Sequence, residues 1–147
     1  MLEECVELCR TVRAERELAT ALGILGVIMQ MQGDLVVASS LLEESEKLCR
    51  KQNLNWELSF LLRRLAGRAA QNGELLRAAE YAQESYTLAQ ELGDTSLIAT
   101  ILCTLGEIAA RQGDLTQAIA YNQESLTLSR ELGDKLLMAY ALSLIHI

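Results

Sequence analysis

The chain of 147 residues has no proline, a single histidine, one phenylalanine and one tryptophan. Without proline, no helix is broken by a missing N–H, and the composition favours helix over strand. With so few aromatics, a core must be built from leucine, isoleucine and alanine, and half of the chain is hydrophobic. One histidine, His146, and four cysteines at 5, 9, 49 and 103 with no Cys-x-x-Cys spacing argue against a zinc site. Cys5 and Cys9 share one helix face, and the expectation for all four is thiols packed in a reduced interior. Basic charge is also scarce: the net charge is −7, which repels phosphate backbones and argues against nucleic-acid binding by this segment. No apolar run approaches the roughly 18 residues of a membrane span. The opening MLEECVELCR carries acids where a secretion signal carries bases, so the expectation is a soluble, cytoplasmic chain. No phosphate-binding or dinucleotide loop is present, and no cofactor or metal is expected.

What is present is self-similarity. Gly33-Asp34, Gly73-Glu74 and Gly113-Asp114 recur every 40 residues, each followed at one offset by Ala38, Ala78 or Ala118. Then come Glu44-Ser45, Glu84-Ser85 and Glu124-Ser125, and after them Leu48, Leu88 and Leu128. Glu91-Leu92-Gly93-Asp94 returns as Glu131-Leu132-Gly133-Asp134, and residues 2–10 align with 42–50. Within one unit, Leu97, Ile98, Ile101, Leu102, Leu105 and Ile108 follow helical spacing. Gly113 ends that helix and Asp114 caps the next, whose inner stripe reads Leu115, Ala118, Ile119, Ser125 and Leu128. Helices are predicted at 2–10, 14–31, 34–51, 56–71, 74–91, 95–111, 114–131 and 135–145. Loops this short force antiparallel hairpins. Small residues at Gly26, Ala66 and Gly106 on first helices, and Ala38, Ala78 and Ala118 on second helices, let axes approach closely. The connection near Gln52-Asn53 lacks the glycine of its sister loops.

Leu-Gly at 25–26 and 105–106, glycine at 33, 73 and 113, and alanine at 38, 78 and 118 resemble the small-residue signature of tetratricopeptide repeats. The period of 40 is similar to a long variant of that family, found in arrays of bacterial signal-transduction ATPases and maltose-activator-like transcription regulators. The resemblance implies an all-α fold, a right-handed α-solenoid of antiparallel helix hairpins. It divides the chain into one array over 1–147, with repeats near 14–51, 56–91 and 95–131 and partial repeats at 1–10 and 135–147. The aromatic that often opens the first helix is replaced by Leu22, Leu62 and Leu102, and the helix-ending proline by Gly93 and Gly133.

The resemblance also implies that first helices line a concave groove. Counted from the Leu-Gly columns, groove positions include Thr20, Gly23, Val27, Phe60, Arg63, Gly67, Thr100, Cys103 and Glu107. The lysine and asparagine clamp of chaperone-binding members has no counterpart, since those columns read Gly23, Val27, Arg63, Gly67, Cys103 and Glu107. Against the acidic background, Arg63, Arg64 and Arg68 cluster on one helix with Phe60 a turn away. This patch is suited to an acidic peptide or anionic ligand. The alternative is ordinary charge pairing with acids such as Glu43, Glu44 and Glu46. Trp56 reads as packing over a loop or as a binding aromatic. Ser45, Ser85 and Ser125 read as small interhelical residues, because no histidine stands by to activate a nucleophile.

The expected function is therefore protein–protein interaction, within a larger bacterial regulatory or signalling protein, and not catalysis. Rival readings are a small-molecule effector-sensing arm and a structural spacer. Both ends read as cut from a longer array. Leu136, Leu137, Met138, Ala139, Tyr140, Ala141, Leu142 and Leu144 are apolar on every face of the last helix. Ser143 to Ile147 leave the repeat pattern and resemble translated adapter sequence. Weak stability and self-association through exposed end helices are expected.

Overall fold

The computed structural model describes residues 1–12 and 14–145, apart from the side chains of Cys9, Thr11 and Val12. His146 and Ile147, on which the adapter reading partly rests, lie outside the described residues, as does the Cys9 half of the Cys5–Cys9 pair. Eight α-helices occur among the described residues: α1 (Leu2–Val12), α2 (Glu15–Met31), α3 (Leu35–Lys51), α4 (Asn55–Gln71), α5 (Leu75–Leu92), α6 (Thr95–Arg111), α7 (Leu115–Leu132) and α8 (Lys135–Ile145). The helices expected from the repeat are all found, within two residues at either end. The chain forms two compact units, Met1–Leu61 and Leu62–Ile147, divided inside α4.

Glycine with φ near +85° ends α2 at Gly33, α4 at Gly73 and α6 at Gly113, and Gly93 and Gly133 are left-handed caps of α5 and α7. Their missing Cβ makes that conformation cheap. The backbone then closes the helix end, as where Asp114 N donates to Ala109 O at 2.9 Å. Asp34, Asp94, Asp114 and Asp134 each accept a bond from the backbone N–H three residues on, at 2.9–3.2 Å. Each thereby satisfies a donor that the helix cannot. Glu74 holds the same position without a side-chain cap bond.

The connection lacking a glycine solves the problem differently. Asn53 itself adopts φ 53°, the only described non-glycine residue with positive φ, and Leu54 N donates to Cys49 O at 2.9 Å. Asparagine tolerates this region better than other L-residues. Asn53→Gly is therefore expected to change stability by no more than about 0.5 kcal/mol, and Asn53→Val to lower it by about 1–2 kcal/mol. Urea melts of the two variants check this.

In the first unit, α2 packs against both α1 and α3 around Val6, Leu18, Ala21, Leu22 and Leu25, with Leu41 and Leu48 against them. In the second unit, α5 and α7 pack on α6, and α8 packs on α7 and α6. Its core joins Ala66, Ala69, Ala78, Ala82, Leu102 and Ile108, a layer dominated by alanine. The first-helix stripe expected in α6 is buried apart from the half-buried Ile98. In α7 the stripe is rotated from the expected one. Leu115 and Ile119 are exposed, whereas Asn122, Leu126 and Ser129 join Ala118 and Ser125 in the interior. Spacings of 4, 7, 8 and 11 from Ala118 define that face, so small polar residues share it with Leu126 and two large apolar ones fall outside.

Column by column, small residues and their partners vary together. A Cβ placed on Gly106 would lie 2.6 Å from Asn122 Oδ1, and one on Gly26 would lie 2.8 Å from Leu42 Cδ2 and Cγ. The middle repeat carries Ala66 on its first helix and Ala82 on its second, both fully buried. Glycine stands opposite a larger partner where the middle repeat has alanine in both columns, so a smaller first-helix residue goes with a larger second-helix residue.

Candidate functional site

The serine column acts structurally. Ser45 Oγ donates to Ala19 O, and Ser125 Oγ to Ala99 O, each at 2.7 Å, tying a second helix to the first helix of its own hairpin. Ser85 is equally buried. A hydroxyl engaged in this way, with no histidine beside it, is a latch between helices.

Cys103 lies beneath that latch. It is 1 % exposed and packs with Leu126 and Ala141. Its Sγ is 3.1 Å from Ser125 Oγ. The single hydroxyl hydrogen of Ser125 is committed to Ala99 O, so the thiol donates to Ser125. Burial raises the thiol pKa, opposed by the Ser125 bond. Cys103 thus occupies the groove column but presents no surface, because α8 and α7 cover it. Cys49 is buried as well, whereas Cys5 is exposed. The expectation of interior thiols therefore fails at Cys5, which is exposed on α1. In dilute solution, and in a Cys9→Ser background, Cys5 is expected to react with a disulfide reagent at the rate of a free thiol. Cys49 and Cys103 are expected to react on the order of 100-fold more slowly or worse, until denaturant is added. Fast titration of three thiols in the native protein would contradict this.

In the first unit, Thr20 is exposed with its hydroxyl bonded back to Arg16 O at 3.1 Å, and Val27 is half-buried. Trp56 lies in the first turn of α4 and stacks on Phe60 with ring centroids 5.7 Å apart and planes 8° from parallel. Both rings remain partly exposed. Two of the acids considered as arginine partners are engaged elsewhere: Glu44 with Arg10 at 2.8 Å and Glu46 with Arg50 at 3.0 Å.

The second unit gathers the titratable groups. α4 supplies Arg63 and the exposed Arg64, α6 supplies Thr100, Cys103 and Glu107, and α8 supplies Tyr140. Arg63 is mostly buried. Desolvation, helped by the like charge of Arg64, pushes its guanidinium down to about 10, while Tyr140 and Cys103 act the other way. Tyr140 is raised, first by burial and then by Glu107 and Cys103, with Arg63 opposing. These couplings place Tyr140 within electrostatic reach of Arg63, Cys103 and Glu107, and Arg63 within reach of Cys103. Glu107 Oε1 also accepts from Arg111 Nη2 at 3.2 Å. Thr100 bonds back to Ser96 O at 3.0 Å. Gly67, one turn beyond Arg63, has nothing within 4 Å of where its Cβ would be. No packing contact requires that glycine, which leaves open space beside the arginines.

Sequence columns alone identified Arg63, Arg64, Gly67, Thr100, Cys103 and Glu107, but not Tyr140. Its signal was the 40-residue offset from Phe60 and Thr100, which puts residue 140 in a groove column. Of the predicted set, Arg63 and Cys103 come together, Glu107 joins them only through Tyr140, and Thr20, Val27 and Phe60 belong to the first unit.

A family model described as tetratricopeptide repeat matches residues 57–131. No curated protein matches the chain. None of the described helices is long and apolar enough to cross a membrane.

Proposed function

We propose, from the premise that the chain belongs to the tetratricopeptide repeat family, that the first-helix face of its second unit binds an acidic segment of a protein partner. Repeats of this family are non-catalytic scaffolds that mediate protein–protein interaction. The observation that supports the finer reading is Tyr140 of α8 lying within electrostatic reach of both Arg63 of α4 and Glu107 of α6, with open space at Gly67 one turn from Arg63. Arginine gives a carboxylate two parallel hydrogen bonds, and a partly desolvated one binds more tightly than one in bulk water. Tyr140 offers a hydroxyl and a ring face at the same place. Glu107 with Arg111 forms an acidic–basic border that disfavours a uniformly charged ligand and fixes register. The setting we infer is a larger bacterial regulatory protein, in the cytoplasm, in which this segment holds a partner in a concave groove.

A selection of random displayed peptides against the chain tests the reading. Enrichment of Asp or Glu at a fixed position, lost on Arg63→Met, is expected. Enriched peptides with no carboxylate preference, or with binding indifferent to Arg63, would refute it.

A further inference from the structure

Along the second helices, one acid column loses its arginine. Residues 2–10 of α1 repeat 42–50 of α3, and between these two helices Arg10 grips Glu44 with both nitrogens. Nη1 lies 2.8 Å from Oε1, and Nη2 donates to Oε2 at 3.0 Å. The two residues are 34 apart in the chain. In the same columns, the next repeats read Arg50 with Glu84, then Gln90 with Glu124. Glu44, under its arginine, is half-buried. Glu124 is exposed, and its carboxylate makes no ion pair or hydrogen bond among the described residues.

A ring column changes in the same way. Tyr81 of α5 carries a cation of its own. Arg77 Nε donates to the Tyr81 hydroxyl at 3.1 Å, and the guanidinium carbon lies 5.4 Å from the ring centroid, within the range of a cation–π contact. Forty residues on, Tyr121 of α7 has Gln117 in place of that arginine. Tyr121 and Tyr86 both pack, half-buried, against the core of the second unit. Burial raises the Tyr86 hydroxyl, and Glu124 and Tyr121 add to the shift, so Tyr86 is within electrostatic reach of both. Tyr121 and Glu124 are one turn apart on α7. Two rings and a carboxylate thus lie together on α5 and α7. Both positions that hold arginine in sister columns are glutamine here. α5 and α7 are complete helices, with α6 between them in sequence and α8 after them, so neither end of the chain creates this gap.

We propose that the ledge of Tyr86, Tyr121 and Glu124 receives an arginine side chain of a protein partner, independently of the carboxylate site at Arg63. The occupant is an arginine because the chain itself places arginine in the corresponding columns, once against an acid and once against a ring. One guanidinium can serve both groups. Its fork gives Glu124 two parallel hydrogen bonds, and its plane lies against a tyrosine ring. Lysine, a point charge without a planar face, fits less well. The net charge of −7 draws a basic segment to this surface.

NMR of the full chain titrated with N-acetyl-arginine amide tests the proposal. Saturable shifts at Tyr86 and Tyr121 are expected. Glu124→Gln should weaken binding about tenfold or more. Gln90→Arg, which gives Glu124 an arginine within the chain, should abolish it. Glu131→Gln, the same charge change on another exposed part of α7, and Arg63→Met should each leave it within about twofold. N-acetyl-citrulline amide, of similar shape without the charge, should not bind. Free arginine, whose own carboxylate Glu124 repels, should bind more weakly than the blocked form. No shift at the two tyrosines, unsaturable shifts spread over the acidic surface, undiminished binding in Glu124→Gln or Gln90→Arg, or tighter binding of free arginine would each overturn the proposal.

Discussion

Gly106→Ala is expected to destabilise the protein by about 1–3 kcal/mol, although alanine is the better helix former by about 1 kcal/mol. The added methyl would sit 2.6–2.8 Å from three atoms of the Asn122 side-chain amide. Asn122 is itself 2 % exposed and walled in by α6 and α7, so it has little room to retreat. Its Oδ1 is buried without a hydrogen-bond partner, so the amide contributes volume more than bonding. Removing that volume should reverse the effect. Asn122→Ala alone leaves a small cavity, but combined with Gly106→Ala it recreates the alanine pair that Ala66 and Ala82 form in the middle repeat. The double variant should be at least as stable as the parent, with the two substitutions coupled by about 1–3 kcal/mol. Denaturant midpoints of the four proteins in the cycle measure this. Simple additivity would show that the close approach does not govern the packing.

Arg63→Met is expected to raise the stability of the chain by about 1–3 kcal/mol while abolishing its preference for acidic peptides. A mostly buried guanidinium costs desolvation, and replacing such a charge by an apolar side chain of similar length is commonly stabilising. The sign follows from the shift. The folded-state value of about 10 lies below the ordinary 12.5. The group is therefore charged in both states at neutral pH, and its burial opposes folding throughout that range. The penalty is relieved only as pH rises from about 10 towards the ordinary value. A partly desolvated guanidinium is suited to a carboxylate of a bound partner. Loss of a charge-assisted bond to a carboxylate should weaken a selected peptide on the order of 10- to 100-fold. Gly67→Ala, which fills open space on the same helix, should stabilise by about 1 kcal/mol, and Gly67→Phe should block the peptide without unfolding the chain. Thermal melts and peptide titrations of the same samples check both halves. A lower melting temperature for Arg63→Met would show that the arginine serves the fold.

Much of this was legible in the sequence because the repeat supplies internal controls. Five copies of Gly-Asp or Gly-Glu fix helix ends, and the aspartates cap as expected wherever they occur. Four other features were not legible from a single column. Asn53 takes over the left-handed role of glycine, which its type permits but does not announce. The α7 stripe turned because Leu115 and Ile119, though apolar, lie off the face set by Ala118, Ser125 and Ser129; small residues, not large ones, mark the interface here. Cys103 sits in a groove column, yet α8 and α7 cover it, and that depends on packing between repeats. The exchange of Gly106 with Asn122 against Ala66 with Ala82 was visible only by reading two columns together.

The central claim is that a partner meets the first-helix face of the second unit. Amide hydrogen exchange of the chain with and without an acidic peptide from the display selection tests it most directly. The account predicts added protection confined to the turns of α4, α6 and α8 that carry Arg63–Gly67, Thr100–Glu107 and Tyr140. Protection confined to α5 and α7, with those turns unchanged, would contradict it.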